Sequence, residues 1–243
     1  MILGVDGGVV FIVALVLVLG ATIQALVGLG LGLVAAPVVT ILDPALMPEL
    51  LLVLVASLPL LTLIDSHDEI DWRGLAWVLP ARVPGTAVGV LFLAHFSERY
   101  IGVAVALMVL LAVVLSLTPL AVPVRPATLA TAGFISGAAG TATTIGGPPV
   151  ALLYQHRSPE QIRNTLAVMF TVGAAMSLVG LWLGGTFEID VFLLALLLTP
   201  CLALGAWAGG RLRGVVPEHR IRYAVLAVCA ASALVLLLRS LLA

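Results

Sequence analysis

Charge is scarce in this sequence. Of its 243 residues, 9% are charged, whereas an ordinary soluble domain carries about 25% charged residues. Lysine is absent, all 11 basic residues are arginine, and the formal net charge is -1. Such a chain has no basic field that would attract nucleic acid, so we exclude nucleic acid as a partner.

Cysteine and histidine are also scarce, with two and four residues. Cys201 and Cys229 both fall inside apolar segments and lack the spacing of metal ligands, so we interpret them as small hydrophobic residues. The histidines all lie in polar connections, which leaves no base inside an apolar segment to activate a serine such as Ser136. We therefore expect no metal, no cofactor and no enzymatic activity.

Apolar residues are abundant. They make up 62% of the chain, and the mean hydropathy is +1.25. A helix needs about 20 apolar residues to cross the ~30 Å hydrocarbon core of a bilayer. The runs predict an all-α polytopic membrane protein, surrounded by lipid, with eight segments at 9–42, 45–64, 74–94, 101–120, 128–154, 164–184, 191–210 and 221–241. Met1 to Gly8 carry no basic residue, so the first run is expected to be a membrane segment and not a signal peptide.

Two of these segments, 9–42 and 128–154, contain clusters of glycine. The first cluster is Gly28, Gly30 and Gly32, followed by Pro37, and the second is Gly133, Gly137, Gly140, Gly146 and Gly147, followed by Pro148 and Pro149. Glycine and proline disfavour a continuous helix. We therefore expect each of these two segments to be a broken or re-entrant helix.

The positions of glycine, proline and some polar residues also indicate an internal duplication. An offset of 112 residues superimposes Gly28 on Gly140 and Gln24 on Ser136. An offset of 120 superimposes Pro80, Gly85, Gly89 and Glu98 on Pro200, Gly205, Gly209 and Glu218. Repeats of this kind are common in secondary transporters. The sequence therefore predicts two homologous four-segment repeats, at 7–120 and 121–243.

The arginines predict the orientation in the membrane. If the two broken segments dip in and return, the repeats are inverted, and Arg99 and Arg239 lie opposite the other eight non-embedded arginines. If the two segments cross, the repeats are direct. The positive-inside rule places both termini outside in either arrangement. We prefer the inverted arrangement, with the direct one as the alternative.

Three features together resemble a known family. They are the glycine-rich stretch that runs into proline in each half, Asp71-Trp72-Arg73 before the third helix, and the Gly85/Gly89 helix with its repeat partner. Over essentially the whole chain, these features resemble the sulfite exporter TauE/SafE family of bacterial membrane proteins. The resemblance implies secondary transport, with export as the direction, of sulfur-containing anions such as sulfite or sulfoacetate across the bacterial inner membrane. A homodimer is compatible with it.

The second glycine cluster is the best candidate for an anion site. A half-helix that begins near Pro148 would direct its positive dipole end into a cavity, and nearby threonine hydroxyls would add donors. The predicted substrate-binding residues are Gln24, Gly28, Gly30, Gly32, Arg82, Ser136, Gly140, Thr141, Thr143, Thr144, Gly146, Gly147 and Pro148.

Each of these residues also has a structural interpretation. The glycines can serve helix packing, which we prefer for Gly85/Gly89 and Gly205/Gly209. Arg82 can face a cavity or snorkel to the interface, and Gln24 and Ser136 can bind substrate or tie two helices together. The functional alternatives are an anion channel, a structural membrane subunit and, least favoured, an intramembrane enzyme. No carboxylate lies near the centre of a segment to couple transport to protons.

Overall fold

The described part of the chain is built from helices and their short connections. We describe a computed structural model that covers residues 3–27, 31–65, 69–118, 122–212 and 218–242, with the backbone alone at 27, 61–65 and 218–222. The chain is 87% helical and has no strand in the part described. The helices are α1 Gly7–Val27, α2 Leu31–Leu42, α3 Glu49–Asp65, α4 Trp72–His95, α5 Glu98–Leu117, α6 Pro126–Thr143, α7 Gly147–Tyr154, α8 Pro159–Leu183, α9 Ile189–Leu212 and α10 Glu218–Leu242. A short 3-10 helix, Pro44–Leu46, joins α2 to α3.

Six of the helices have the length and apolar composition needed to cross a membrane. They are α1, α4, α5, α8, α9 and α10, and the predicted all-α membrane fold is confirmed to that extent. Their lateral surfaces expose large apolar side chains, including Trp182 and Trp207, which in a bilayer would face lipid. The apolar runs therefore predicted the helices well, with ends that differ from the expected ones by a few residues.

The first and fifth predicted segments each contain two helices. α6 ends at Thr143, and α7 begins at Gly147. Between them Thr144 is left-handed, with φ of 63°, a conformation that costs a residue other than glycine about 1–2 kcal/mol. In the first segment α1 ends at Val27 and α2 begins at Leu31. Gly28 and Gly30 lie outside the described residues.

Glycines let two pairs of helices approach closely. α4 packs against α6, where a Cβ atom at Gly85 would collide with the carbonyl oxygen of Phe134. α1 packs against α9, where a Cβ atom at Gly205 would collide with the carbonyl oxygen of Val18. Both pairs are parallel, because contacts farther along one helix fall farther along the other. The helix-packing interpretation of Gly85 and Gly205 is confirmed.

Polar contacts mark the two ends of the bundle. At the Asp71 end, Tyr154 at the end of α7 donates a hydrogen bond to Asp71 before α4 (2.8 Å). Asp71 also accepts the N–H of Gly74 and so caps α4.

At the Arg99 end, Arg99 at the start of α5 donates to the carbonyl of Leu241 in α10 (2.9 Å). Arg239 in α10 donates to the carbonyl of Ile41, near the end of α2. α2 therefore ends at the Arg99 end, whereas α7 ends at the Asp71 end.

Candidate functional site

A cavity of about 140 Å³ lies where the two broken segments meet. This is room for several water molecules or one small anion. Its lining comes from both halves of the chain: Gln24, Gly32, Leu33, Val55, Ala112, Leu115, Ser116, Thr144, Ile145, Gly147, Pro148, Ala151, Leu152, Gln155 and Phe170. Five of these are predicted site residues, namely Gln24, Gly32, Thr144, Gly147 and Pro148.

Two helix N-termini reach this cavity. Gly32 and Leu33 belong to the first turn of α2, and Gly147 and Pro148 begin α7. The first turn of a helix has N–H groups without partners inside the helix, and its dipole makes that end partly positive. A Cβ atom at Gly32 would lie 3.5 Å from the carbonyl oxygen of Thr144, so the start of α2 is in contact with the second break. Together they make the cavity attractive to a negative charge.

Proline reduces the number of donors that α7 can offer. Pro148 and Pro149 have no backbone N–H, so in the first turn the donors are Gly147 and Val150. The predicted half-helix N-terminus is therefore present but has fewer N–H groups than an ordinary helix. Proline suits the first positions of a helix, because its φ angle is already helical there.

Gln24 closes the first break. Its Oε1 accepts the N–H of Leu31, the first residue of α2, at 3.0 Å. Because a backbone N–H can only donate, this contact identifies the oxygen of the amide, and the side-chain nitrogen is the group left to donate. Gln24 also lines the cavity. It therefore has both predicted properties, a tie between two helices and a polar group at the cavity.

The cavity wall combines a few polar groups with an apolar surface. Its polar side chains in the described residues are those of Gln24, Ser116, Thr144 and Gln155, and none of the described lining residues is charged. Leu115, Leu152, Phe170 and other apolar residues form the rest. Such a wall suits a small ligand with one polar end and a short apolar part.

The three predicted threonines bond mainly to the protein. The hydroxyl of Thr141 shares a hydrogen bond with Ser177 (2.7 Å). Thr143 donates to the carbonyl of Ala139, and Thr144 donates to the carbonyl of Thr143. Of the three, only Thr144 is among the residues that line the cavity. These hydroxyls therefore hold the break in shape.

Arg82 is buried in the middle of the protein. It lies ten residues into α4, about 15 Å from its start, and is 3% exposed. The side chain therefore does not snorkel to the interface. One terminal nitrogen donates to the Ser136 hydroxyl (2.7 Å), whereas the Nε atom has no partner in the described part of the chain.

Three glycines make room for the Arg82 side chain. A Cβ atom at Gly173 in α8 would lie 2.5 Å from its Cζ atom, and one at Gly140 would lie 2.8 Å from its Nη2 atom. Gly137 lies against its Cγ atom. Among the described residues, the ion pair found is Arg163 with Glu160, so no acid balances the Arg82 charge there.

The second break separates Arg82 from the cavity. A Cβ atom at Gly146 would lie 3.0 Å from the Ser136 hydroxyl and 3.1 Å from the Gly140 Cα atom. The neighbouring residues Thr144 and Gly147 line the cavity. The backbone of the second break therefore lies between two features. On one side is the Arg82 charge, which has no acid partner in the described residues, and on the other is the cavity, whose described lining is uncharged.

Several residues that line the cavity were not predicted from the sequence. Ser116 is an isolated hydroxyl in an apolar run, which is a signal that could have identified it. Gln155 follows α7 and lies just beyond the predicted segment 128–154, so the hydropathy pattern gives it no place at a site. Phe170, like Gly173 beside Arg82, carries no signal of its own, because its place at the site depends on how α8 packs.

The chain matches one protein family over most of its length. The model of the family described as "Sulfite exporter TauE/SafE" matches residues 11–236. Searches of curated proteins and of solved structures found no match.

Proposed function

The chain belongs to the sulfite exporter TauE/SafE family, and we propose that it is a secondary transporter that exports sulfite or an organosulfonate such as sulfoacetate. The observation that carries this proposal is the meeting of two helix N-termini at one cavity, at Gly32 of α2 and Gly147 of α7. A family of membrane transporters and an anion-attracting cavity support the same function.

The anion would be bound by groups that carry no full charge. The sulfonate or sulfite oxygens would accept the N–H groups of the two first turns and the amide nitrogen of Gln24. Each helix end contributes about 0.3–1 kcal/mol at an exposed site and up to about 2 kcal/mol when partly buried. Binding of this strength is moderate, which suits a carrier that must also release its substrate.

Arg82 would attract the anion through its electric field, although the second break separates it from the cavity. Its charge is buried without a counter-ion in the described residues, and a low dielectric lets such a charge act over a longer distance than in water. It would make the cavity more positive without touching the anion. Ser136, Gly140 and Gly146 would hold the guanidinium and the break together.

We also propose that the two halves, 7–120 and 121–243, are inverted repeats with re-entrant first segments. Support comes from the ends of the half-helices. α6 runs parallel to α4, and Tyr154 of α7 bonds to Asp71 at the start of α4. α1 runs parallel to α9, and α2 ends at the Arg99 end, where α9 begins. Each pair of half-helices would thus enter and leave at one end, and the two pairs at opposite ends.

This arrangement favours alternating access in the bacterial inner membrane. Arg99 and Arg239 lie at one end, and the positive-inside rule makes the Asp71 end cytoplasmic, because its described residues include Arg73, Arg125, Arg157, Arg163 and Arg211. The membrane potential, worth about 2.3 kcal/mol per charge for every 100 mV, would favour exit of an anion.

The test is counterflow in proteoliposomes that contain the purified full chain. We expect saturable flux of labelled sulfite or sulfoacetate, accelerated by unlabelled substrate on the opposite side. Taurine, thiosulfate and sulfate complete the panel. Very fast flux without saturation would instead identify a channel, and no flux of any member would refute transport of sulfur anions.

A further inference from the structure

One acidic side chain is buried at the Arg99 end. Glu49 begins α3 and is 4% exposed. Its Oε2 atom accepts the N–H of Glu188, in the connection between α8 and α9, at 2.9 Å. Its Oε1 atom has no hydrogen-bond partner in the described part of the chain. The carboxyl group therefore has one bond where an ionised carboxylate normally has several.

The surroundings of Glu49 oppose its ionisation. Burial of an ion without a full set of partners is strongly unfavourable. The N-terminus of α3 and the single hydrogen bond from the Glu188 N–H offset only part of that cost. The charged side chain facing Glu49 in the described residues is that of Glu188, and it repels a second negative charge. The balance favours the neutral acid.

We infer that Glu49 is a proton-binding site, which holds a proton while the α8–α9 connection covers it and releases that proton to water when the connection moves away. The O–H bond of the carboxyl group breaks, its electron pair stays on Glu49, and water at the Arg99 end takes the proton. A metal ion does not fit as the ligand, since it would need several oxygen ligands and no cluster of acids or histidines is found in the described residues.

Glu49 is also connected to the proposed substrate site. Val55 lies six residues further along the same helix, about 9 Å away, and lines the cavity. A movement of the start of α3 would therefore reach the cavity wall. Proton release would accompany opening at the Arg99 end, which gives the proposed transporter a response to pH on that side. This last step rests on the proposed function.

The opposite end has a related contact, in which the acid is exposed. Ser158, before α8, donates to the exposed carboxylate of Glu69 (2.5 Å), before α4. The start of α8 is thus joined to the connection before α4 as the start of α3 is joined to the connection before α9. Among the described side chains the buried acid is Glu49, at the Arg99 end, so the pH response should be one-sided.

The first test measures the carboxyl group and needs no substrate. Infrared spectra of the reconstituted full chain are recorded at about pH 6, where exposed Asp and Glu, with pKa values of about 3.9 and 4.3, are ionised. We expect a protonated-carboxyl band that Glu49→Gln removes and Glu98→Gln preserves. Glu98 is a matched control, since it also begins a helix at this end but is exposed. No such band, or its persistence in Glu49→Gln, would overturn the inference.

The second test measures sulfoacetate counterflow in vesicles of known orientation. For the unmodified chain and Glu98→Gln, we expect flux to change by about threefold or more when pH on the Arg99 side crosses the range in which Glu49 ionises. Glu49→Gln should remove that change. A chain that shows the infrared band but no anion flux would contradict the proposed function and not the proton site. Flux with equal pH dependence in Glu49→Gln would contradict the link between the Glu49 proton and transport, and not the proposed function.

Discussion

At the scale of single residues, two substitutions of Gln24 test its electrostatic role and its structural role separately. Gln24→Glu keeps the oxygen that accepts the Leu31 N–H and adds a negative charge to the cavity. We expect transport of sulfoacetate to fall at least about tenfold, because a like charge over about 10 Å at an effective dielectric constant near 20 costs about 1.7 kcal/mol. Flux assays and melting temperatures check this together. Little change in melting temperature is expected, whereas Gln24→Ala should lose about 1 kcal/mol of stability with its cap. Normal transport by Gln24→Glu would remove this residue from the site.

Replacement of Arg82 is expected to weaken anion binding without destabilising the protein. Its buried charge has no acid partner among the described residues, so Arg82→Met should leave the melting temperature unchanged or raise it. The same change should raise the KM for the anion about tenfold, because the field of the charge is lost. Arg82→Lys retains the charge and should keep most of the affinity. A less stable Arg82→Met chain with normal KM would show that the arginine serves packing alone.

The sequence identified Arg82 and Gln24 but not their surroundings. Both interpretations of Arg82 were open, because hydropathy does not determine which face of α4 meets another helix. The answer depends on Gly137 and Gly173, which come from two other helices. Gln24 was predictable as a polar residue beside a break, whereas its bond to Leu31 depends on the path of the chain between α1 and α2.

At the scale of helices, the start of α7 is the most direct target. Gly147 lines the cavity, and Gly147→Leu would fill much of a volume of about 140 Å³. We expect this variant to insert normally and to lose transport. Gly210→Leu is the matched control, because Gly210 lies on the exposed side of α9 with nothing within 4 Å. Equal counterflow by the two variants would mean that the substrate does not enter this cavity.

Glycine and proline spacing predicted the second break but not the register of packing. Helix packing places Gly85 against Phe134 and Gly205 against Val18, and those two partners are 116 residues apart. The offset of 112 that aligns the glycine clusters differs from this by about one helical turn. The glycine and proline positions align the two helix breaks, whereas the packing contacts align the helix surfaces. These two alignments need not have the same offset.

At the scale of the whole molecule, the inverted-repeat proposal predicts on which side of the membrane each connection lies. Ser97→Cys and His156→Cys are introduced separately after Cys201 and Cys229 are replaced by alanine. Inverted repeats put residue 97 outside and residue 156 inside, so an impermeant thiol reagent should label only Ser97→Cys in intact cells. Direct repeats would put both residues inside, and the absence of labelling in both variants in intact cells would support them.

Composition and hydropathy predicted the helices because the bilayer limits a spanning chain to few solutions. They did not predict the cavity, because its wall joins residues far apart in the chain, such as Gln24, Ser116 and Phe170. The buried acid Glu49 was also missed, because a carboxylate next to a helix start usually faces water.

The central claim is that the cavity between the two breaks attracts and holds an anion. Its most direct measurement is the modification rate of Thr144→Cys, in the same cysteine-free chain, by a negatively charged ethylsulfonate thiosulfonate reagent and by its positively charged ethylammonium counterpart. Two helix ends of about 0.5 kcal/mol each predict faster reaction with the anionic reagent, by about threefold or more, and protection by sulfoacetate. Faster reaction with the cationic reagent, or no protection at any sulfoacetate concentration, would contradict the account.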